Sequence, residues 1–209
     1  MRDRLIRLAH DHPTWALGFA DEVWWSRAAQ PAVHAWTATG QPLRLVEPTV
    51  AKGDPKALAC YGLLTRWWDA PGGNEPSEAL WLRFVDGRPI SGVTTPFLAW
   101  CCTKLAAVGK TALLLVWDNA SWHISRAVRD WIAAHNRQVK AGDAPVRIVA
   151  CPLPIKSPWL NPIEPKWVHG KRAVVEPDGL LPAAVLEERV CAYYGCPLEP
   201  HLTIPQDAA

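Results

Sequence analysis

Three acidic residues sit where this sequence could do chemistry. Asp118 directly follows the apolar run Ala112-Leu113-Leu114-Leu115-Val116-Trp117. That run has the length of a buried strand, and a helical pattern comes after it. Ligand chemistry in open α/β sheets gathers at the carboxyl ends of strands, which is where this carboxylate falls. Asp21 closes a second strand-like run, Trp15 to Ala20, with Glu22 beside it. Glu164 stands in the rigid, proline-punctuated stretch Ser157-Pro158-Trp159-Leu160-Asn161-Pro162-Ile163-Glu164. Three carboxylates on three separate elements suit a metal site for phosphoryl transfer. Mg²⁺ is a hard ion that prefers carboxylate oxygen and water. Two such ions about 4 Å apart can serve both sides of an in-line displacement. Crowded carboxylates repel, so the metal-free site is expected to hold a proton and titrate as a coupled group.

Each acid also has an ordinary reading. Asp21 can be a turn residue, with Glu22 a solvated neighbour. Asp118 and Asn119 can form an Asx turn at a strand end. Glu164 can be the third residue of a capped helix, with Asn161 as N-cap and Pro162 at N1. His123 reads as a DNA contact, as a residue that places metal-bound water, or as a polar residue at a helix start. Trp167, three residues after Glu164 on one helical face, reads as a core anchor.

Taken in order, Asp21-Glu22, then Asp118-Asn119 with His123, then Asn161-Pro162-Ile163-Glu164 with Trp167 resemble the DDE transposases of the insertion-sequence-630 and mariner superfamily. Trp36 and Gly40 match the Trp-then-Gly pattern such transposases show after the first acid. The similarity runs from about residue 14 to residue 172. It implies a ribonuclease H-like α/β fold, a mixed central sheet with helices on its faces. The first acid would lie on the central strand, the second just beyond a neighbouring strand, and the third on a helix packed nearby. It further implies metal-dependent DNA strand cleavage and strand transfer with two Mg²⁺ or Mn²⁺ ions. In that scheme Asp21 bridges both ions, Asp118 holds one and Glu164 the other. The implied partners are transposon-end DNA and a TA target; a homodimer is a further candidate assembly. Two other readings stay open: an inactive remnant that only binds DNA or a partner transposase, and a ribonuclease H-type hydrolase of RNA–DNA hybrids.

Local charge fits a phosphate backbone. Between Cys151 and Arg172 the only acid is Glu164, among Lys156, Lys166, Lys171 and Arg172. These four and His123 are the candidate DNA contacts, although a solvated basic helix face reads equally well. Three features depart from the family pattern. The stretch between Asp118 and Glu164 is long, with extra residues around Arg137 to Pro145 that a helix end and loop can absorb. Pro165 disfavours helical geometry at Glu164, so the helix is expected to start a turn late. Thirteen residues precede the first strand, too few for a helix-turn-helix module, so the expectation is a catalytic domain alone.

With 209 residues, 49% hydrophobic and 20% charged, the chain reads as one domain able to bury a core. A net charge of +2 is too small to argue for nucleic acid by itself. Thirteen Trp against three Phe and three Tyr suggest that Trp fills the core, with Trp122 and Trp159 as the alternative base-stacking candidates. The six Cys lack paired metal-ligand spacing. With no signal peptide and no apolar run near membrane length, the expected location is the bacterial cytoplasm, on the nucleoid when DNA is bound.

The elements that must position these residues follow from periodicity. Strands are expected at 14–20, 23–26, 33–37, 43–46, 57–65, 80–85, 111–117 and 146–150. One helix should begin at Thr95-Pro96 and stop at Gly109, and a second should begin at Ser125 and break at 141–145. The expected organisation is a helical lead-in at 1–13, the catalytic domain at 14–190 and a tail at 191–209, loosely ordered after Glu199.

Overall fold

The computed structural model describes residues 2–27, 52, 54–71, 73, 75–155, 157–174 and 180–203. The expected strands at 33–37 and 43–46, and with them Trp36 and Gly40, lie outside the described residues. Lys156 lies outside them too.

A five-stranded sheet carries the molecule. Its strands are β1 (Trp15–Ser26), β2 (Ala57–Trp67), β3 (Ser77–Val85), β4 (Ala112–Trp117) and β5 (Arg147–Pro152), in the spatial order β3-β2-β1-β4-β5. β1, β2 and β3 form an antiparallel meander, whereas β1, β4 and β5 run parallel. Helix α1 (Arg2–Asp11) leads in, α2 (Ser91–Ala107) and α3 (Arg126–Ala141) flank β4 in sequence, and α4 (Glu164–Val174) and α5 (Ala183–Tyr194) follow β5. This is the mixed α/β architecture the sequence anticipates, with β1 in the centre.

Every residue of β4 is buried, as a parallel strand covered on both faces must be. Alternation along the strands then assigns each side chain to a face. Leu114, Val116, Phe19 and Trp25 pack with residues of α1, α4 and α5, such as Leu5, Trp167 and Val190. Leu113, Leu115 and Trp117 pack with residues of α2 and α3, such as Phe97, Leu105 and Val128. The same period of two sends Asp21 to the first face and Glu22 to the second.

Several boundaries moved. The expected strands at 14–20 and 23–26 are one continuous strand, because β2 pairs along it from Leu17 to Ser26. α2 begins at Ser91, a turn before Thr95, and Pro96 lies inside it. The amides of Val93 and Thr94 both donate to the Ile90 carbonyl, so the helix is nucleated before the proline. α3 starts where expected, with the Ser125 side chain accepting from the Val128 amide, and ends at Gly142 with φ +90°. α5 runs to Tyr194 and so crosses the expected boundary at residue 190. The tail is also better held than expected. Leu202 is buried and bridges Val85, accepting from the Asp86 amide and donating to the Phe84 carbonyl. β3 is an edge strand whose open backbone groups take up this segment. Among the described residues, no helix is long and apolar enough to cross a membrane.

Candidate active site

β1 and β4 are parallel neighbours, paired from Trp15↔Ala112 to Phe19↔Val116. Continuing that register two residues further sets Asp21 opposite Asp118, at the carboxyl end of β4. Two acids far apart in sequence therefore reach one end of the central strands by backbone pairing alone.

Glu164 arrives by a different route. After β5 the chain passes a short 3₁₀ turn, Pro158–Leu160, and enters α4 at Glu164 itself. Pro165 does not delay the helix, contrary to expectation, because the first turn has no internal acceptor to lose a donor to. Asn161 does not cap it through its side chain either. Its Nδ2 donates 3.2 Å to the carbonyl of Ala20, the residue before Asp21, and so ties the turn to β1. The Asn161 Oδ1 is buried and has no hydrogen-bond partner among the described residues.

Asp21 is gripped from α4. The indole Nε1 of Trp167 donates 2.8 Å to Asp21 Oδ2. Trp167 is also the core anchor the sequence suggested, stacked edge-on against Trp25 and Tyr194. Gly62 pairs with Asp21 across the β1–β2 ladder and leaves the room the indole occupies.

Asp118 is held by its own loop. Its Oδ1 accepts from the Ala120 amide at 2.9 Å and from His123 Nδ1 at 2.8 Å. The first of these is the Asx-type bond expected at a strand end. The other ring nitrogen, Nε2, lies 2.8 Å from Glu22 Oε1. His123 is 2% exposed and its ring stacks on Trp117.

The electrostatics follow from burial and crowding. Burial first, then the negative charge of Glu164, push the Asp21 carboxyl up to about 7, against the Trp167 bond that favours ionisation. Burial and then Asp118 raise Glu164, with Lys171 opposing. The hydrogen bond from His123 holds Asp118 below the usual carboxylate range. Burial alone would lower the His123 pKa, but its bonds to Asp118 and Glu22 outweigh that and raise it to about 9. Burial and neighbouring carboxylates thus push Asp21 and Glu164 toward the protonated form, while Asp118 is held ionised by its hydrogen bonds.

Asp118, Asn161 and Glu164 line a cleft of about 370 Å³, together with Leu153, Pro154 and Pro158. Alongside the side-chain amides of Asn119 and Asn161, the carboxylates of Asp118 and Glu164 offer it oxygens, the kind of ligand a hard divalent cation takes. Among the described residues no three His, Cys, Asp or Glu side chains stand close enough to form a ready-made metal cluster. Asp21 is turned to Trp167 and Asp118 to His123, so gathering the acids on an ion requires side-chain rearrangement.

The other candidates disperse. His123 is buried, with both ring nitrogens engaged by carboxylates. Lys166 ion-pairs with Glu78 at the edge of β3. Lys171 and Arg172 are exposed in the last turn of α4. Trp159 is exposed, whereas Trp122 is half-buried. Sequence reasoning gave no site role to Glu22, Gly62 or the Asn161 tie. The period of two in β1 was the available signal for Glu22, since it sends neighbouring acids to opposite faces.

A family model described as DDE superfamily endonuclease matches residues 91–178, a span that contains Asp118 and Glu164 but not Asp21. No curated protein matches the chain significantly. Among solved structures, the Mos1 transposase paired-end complex with left transposon end is similar with TM-score 0.53 and 16% identity, over 94% of this chain and 52% of that one. A pre-cleavage Mos1 transpososome gives TM-score 0.55 and 13% identity, over 94% and 52%. The Mos1 mariner paired-end complex with Mn gives 0.51 and 17%, over 93% and 51%. The chain spans about half the length of these transposases, and identities this low speak for the fold. Residues 91–178 are thus similar to the DDE superfamily endonucleases, and the chain shares its fold with the Mos1 mariner transposase structures.

Proposed function

We propose that this chain is the catalytic domain of a DNA transposase, cleaving and joining DNA strands with Asp21, Asp118 and Glu164 as the acids that hold two Mg²⁺ or Mn²⁺ ions. The observation that supports this reading is the parallel pairing of β1 with β4, which runs Asp21 and Asp118 toward the same end of the sheet, together with the turn before Glu164 that is tied to Ala20. The bound ions would supply charge neutralisation at the scissile phosphate and an acidified water. The chain's own residues do the rest. Trp167 orients Asp21, and His123 and the Ala120 amide orient Asp118; binding of ions would require these carboxylates deprotonated. Lys171, whose charge acts on Glu164, and the exposed Arg172 next to it in the chain offer positive charge for the DNA backbone. Transposon ends and a TA target would be the DNA acted on, and a homodimer would hold two ends.

A nicking assay on supercoiled DNA with Mn²⁺ tests this. Wild type should nick, and Asp118→Asn should lose at least about a hundredfold while melting at the same temperature. Wild-type activity in that variant would overturn the assignment. The acids are not gathered as they stand, which favours one second reading, a remnant that binds DNA without cutting it. Calorimetric titration with Mn²⁺ separates the two: two ions with proton release support catalysis, and weak or single binding supports the remnant. An RNA–DNA hybrid substrate, cut in preference to duplex DNA, would instead identify a ribonuclease H-type hydrolase.

A further inference from the structure

We infer that Glu22 and His123 form a positioning pair that sets the orientation of Asp118 for metal binding, acting through Asp118 and not on DNA. This rests on the metal site proposed above. Asp118 is the most accessible of the acids at that end of the sheet, its side chain 55% exposed. Left to itself, such a carboxylate would rotate freely. Here His123 Nδ1 and the Ala120 amide both end on Oδ1, and Oδ2 carries neither bond. One oxygen is committed to the protein, which fixes the plane in which the other is presented.

The ring that does this is itself fixed. His123 lies against Trp117 at 4.6 Å between ring centres with 11° between planes, and meets Trp122 edge-on at 6.0 Å. Its far nitrogen is held 2.8 Å from Glu22 Oε1, on a strand and 101 positions away in the chain. The Glu22 side chain is only 8% exposed. A buried carboxylate is unfavourable unless a partner compensates it, so the residue's place on β1 depends on His123. Asp21 and Glu22 thus divide the work across the two faces of one strand. Asp21 faces α4 and the Trp167 indole, while Glu22 faces away and reaches Asp118 through the imidazole.

Partners of this kind, one shell beyond a metal ligand, change metal affinity or activity by about 10–100-fold when removed. Mn²⁺ affinity, read by electron paramagnetic resonance of the free ion, is the test, with urea midpoints measured alongside. Glu22→Ala and His123→Ala should each weaken Mn²⁺ binding by about tenfold or more. Glu22→Gln keeps an acceptor oxygen for Nε2 and should recover most of the affinity. DNA binding without metal should be equal in all three. Asp118→Asn is the control for the underlying site. If it leaves Mn²⁺ affinity unchanged, the metal site itself is refuted and the pair has nothing to position. If it weakens binding while Glu22→Ala binds Mn²⁺ as wild type does, the site stands and the positioning pair is overturned. Should Glu22→Ala fail to fold, the wild-type protein decides. Mg²⁺ should move the imidazole N–H proton resonances of His123, and resonances that stay still through saturation would overturn the inference.

Discussion

A methyl group on Gly62 would lie 2.5 Å from Cη2 of Trp167 and 3.1 Å from Cδ1 of Ile163. Gly62 is the β2 partner of Asp21, and Trp167 is the residue that donates to the Asp21 carboxyl. One bare backbone position thus admits the indole that holds the first candidate acid. Packing and chemistry meet there, since the same ring closes the core between Trp25 and Tyr194.

Gly62→Ala should therefore act at a distance from the cleft. The added carbon must push the indole aside, and overpacking of this kind costs about 1–3 kcal/mol. A urea midpoint lowered accordingly, together with a fall in Mn²⁺-dependent nicking, is the expected pair of results. An unchanged midpoint would mean that α4 shifts freely and the contact is not tight.

Trp167→Phe separates the hydrogen bond from the packing. The ring still fills most of the space, but the N–H that favours ionised Asp21 is gone. Loss of a bond to the charged form raises a carboxyl pKa, so Asp21 should titrate above its present value of about 7. Because ion binding requires the deprotonated acid, the midpoint of Mn²⁺ binding against pH should move to higher pH than in wild type. A midpoint that does not move would deny the indole any hold on the charged carboxylate.

His201 should make stability depend on pH, far from the cleft. Its Nδ1 lies 2.5 Å from Asp86 and its Nε2 3.1 Å from Glu187, so the ring ties the C-terminal segment to the end of β3 and to α5. Burial alone would lower its pKa, but the bonds to the two carboxylates raise it above the ordinary value. A raised folded-state pKa stabilises fully below the unfolded value of about 6.5 and loses that contribution as pH rises through the folded value. His201→Ala should lower the melting temperature more at about pH 6 than at about pH 9. An equal loss at both would assign the effect to packing on Phe84.

Much of the frame was legible because burial leaves a local record. The fully buried β4 reads as an unbroken apolar run, and α3 announces itself through Ser125 at its start and Gly142 at its end. Asp118 and Asp21 could be singled out because each closes such a run. The family pattern added Glu164, which would otherwise pass for a helix-capping acid.

What a strand pairs with, and which way a side chain turns, is not written in periodicity. Only the parallel pairing of β1 with β4 brings Asp21 and Asp118 to the same end of the sheet. Only the folded sheet brings Glu22 to His123 and Trp167 over Gly62. Local rules misjudged Pro165, Asn161 and Leu202 for the same reason. The start of α4, the tie to Ala20 and the bridge to Val85 all answer to partners distant in the chain. Hydrophobic pattern states that a residue is buried, and short-range sterics state where a helix can begin. Which groups meet at the end of a sheet depends on register, on crossover and on the space a neighbouring side chain leaves, and those are settled only when the whole core closes.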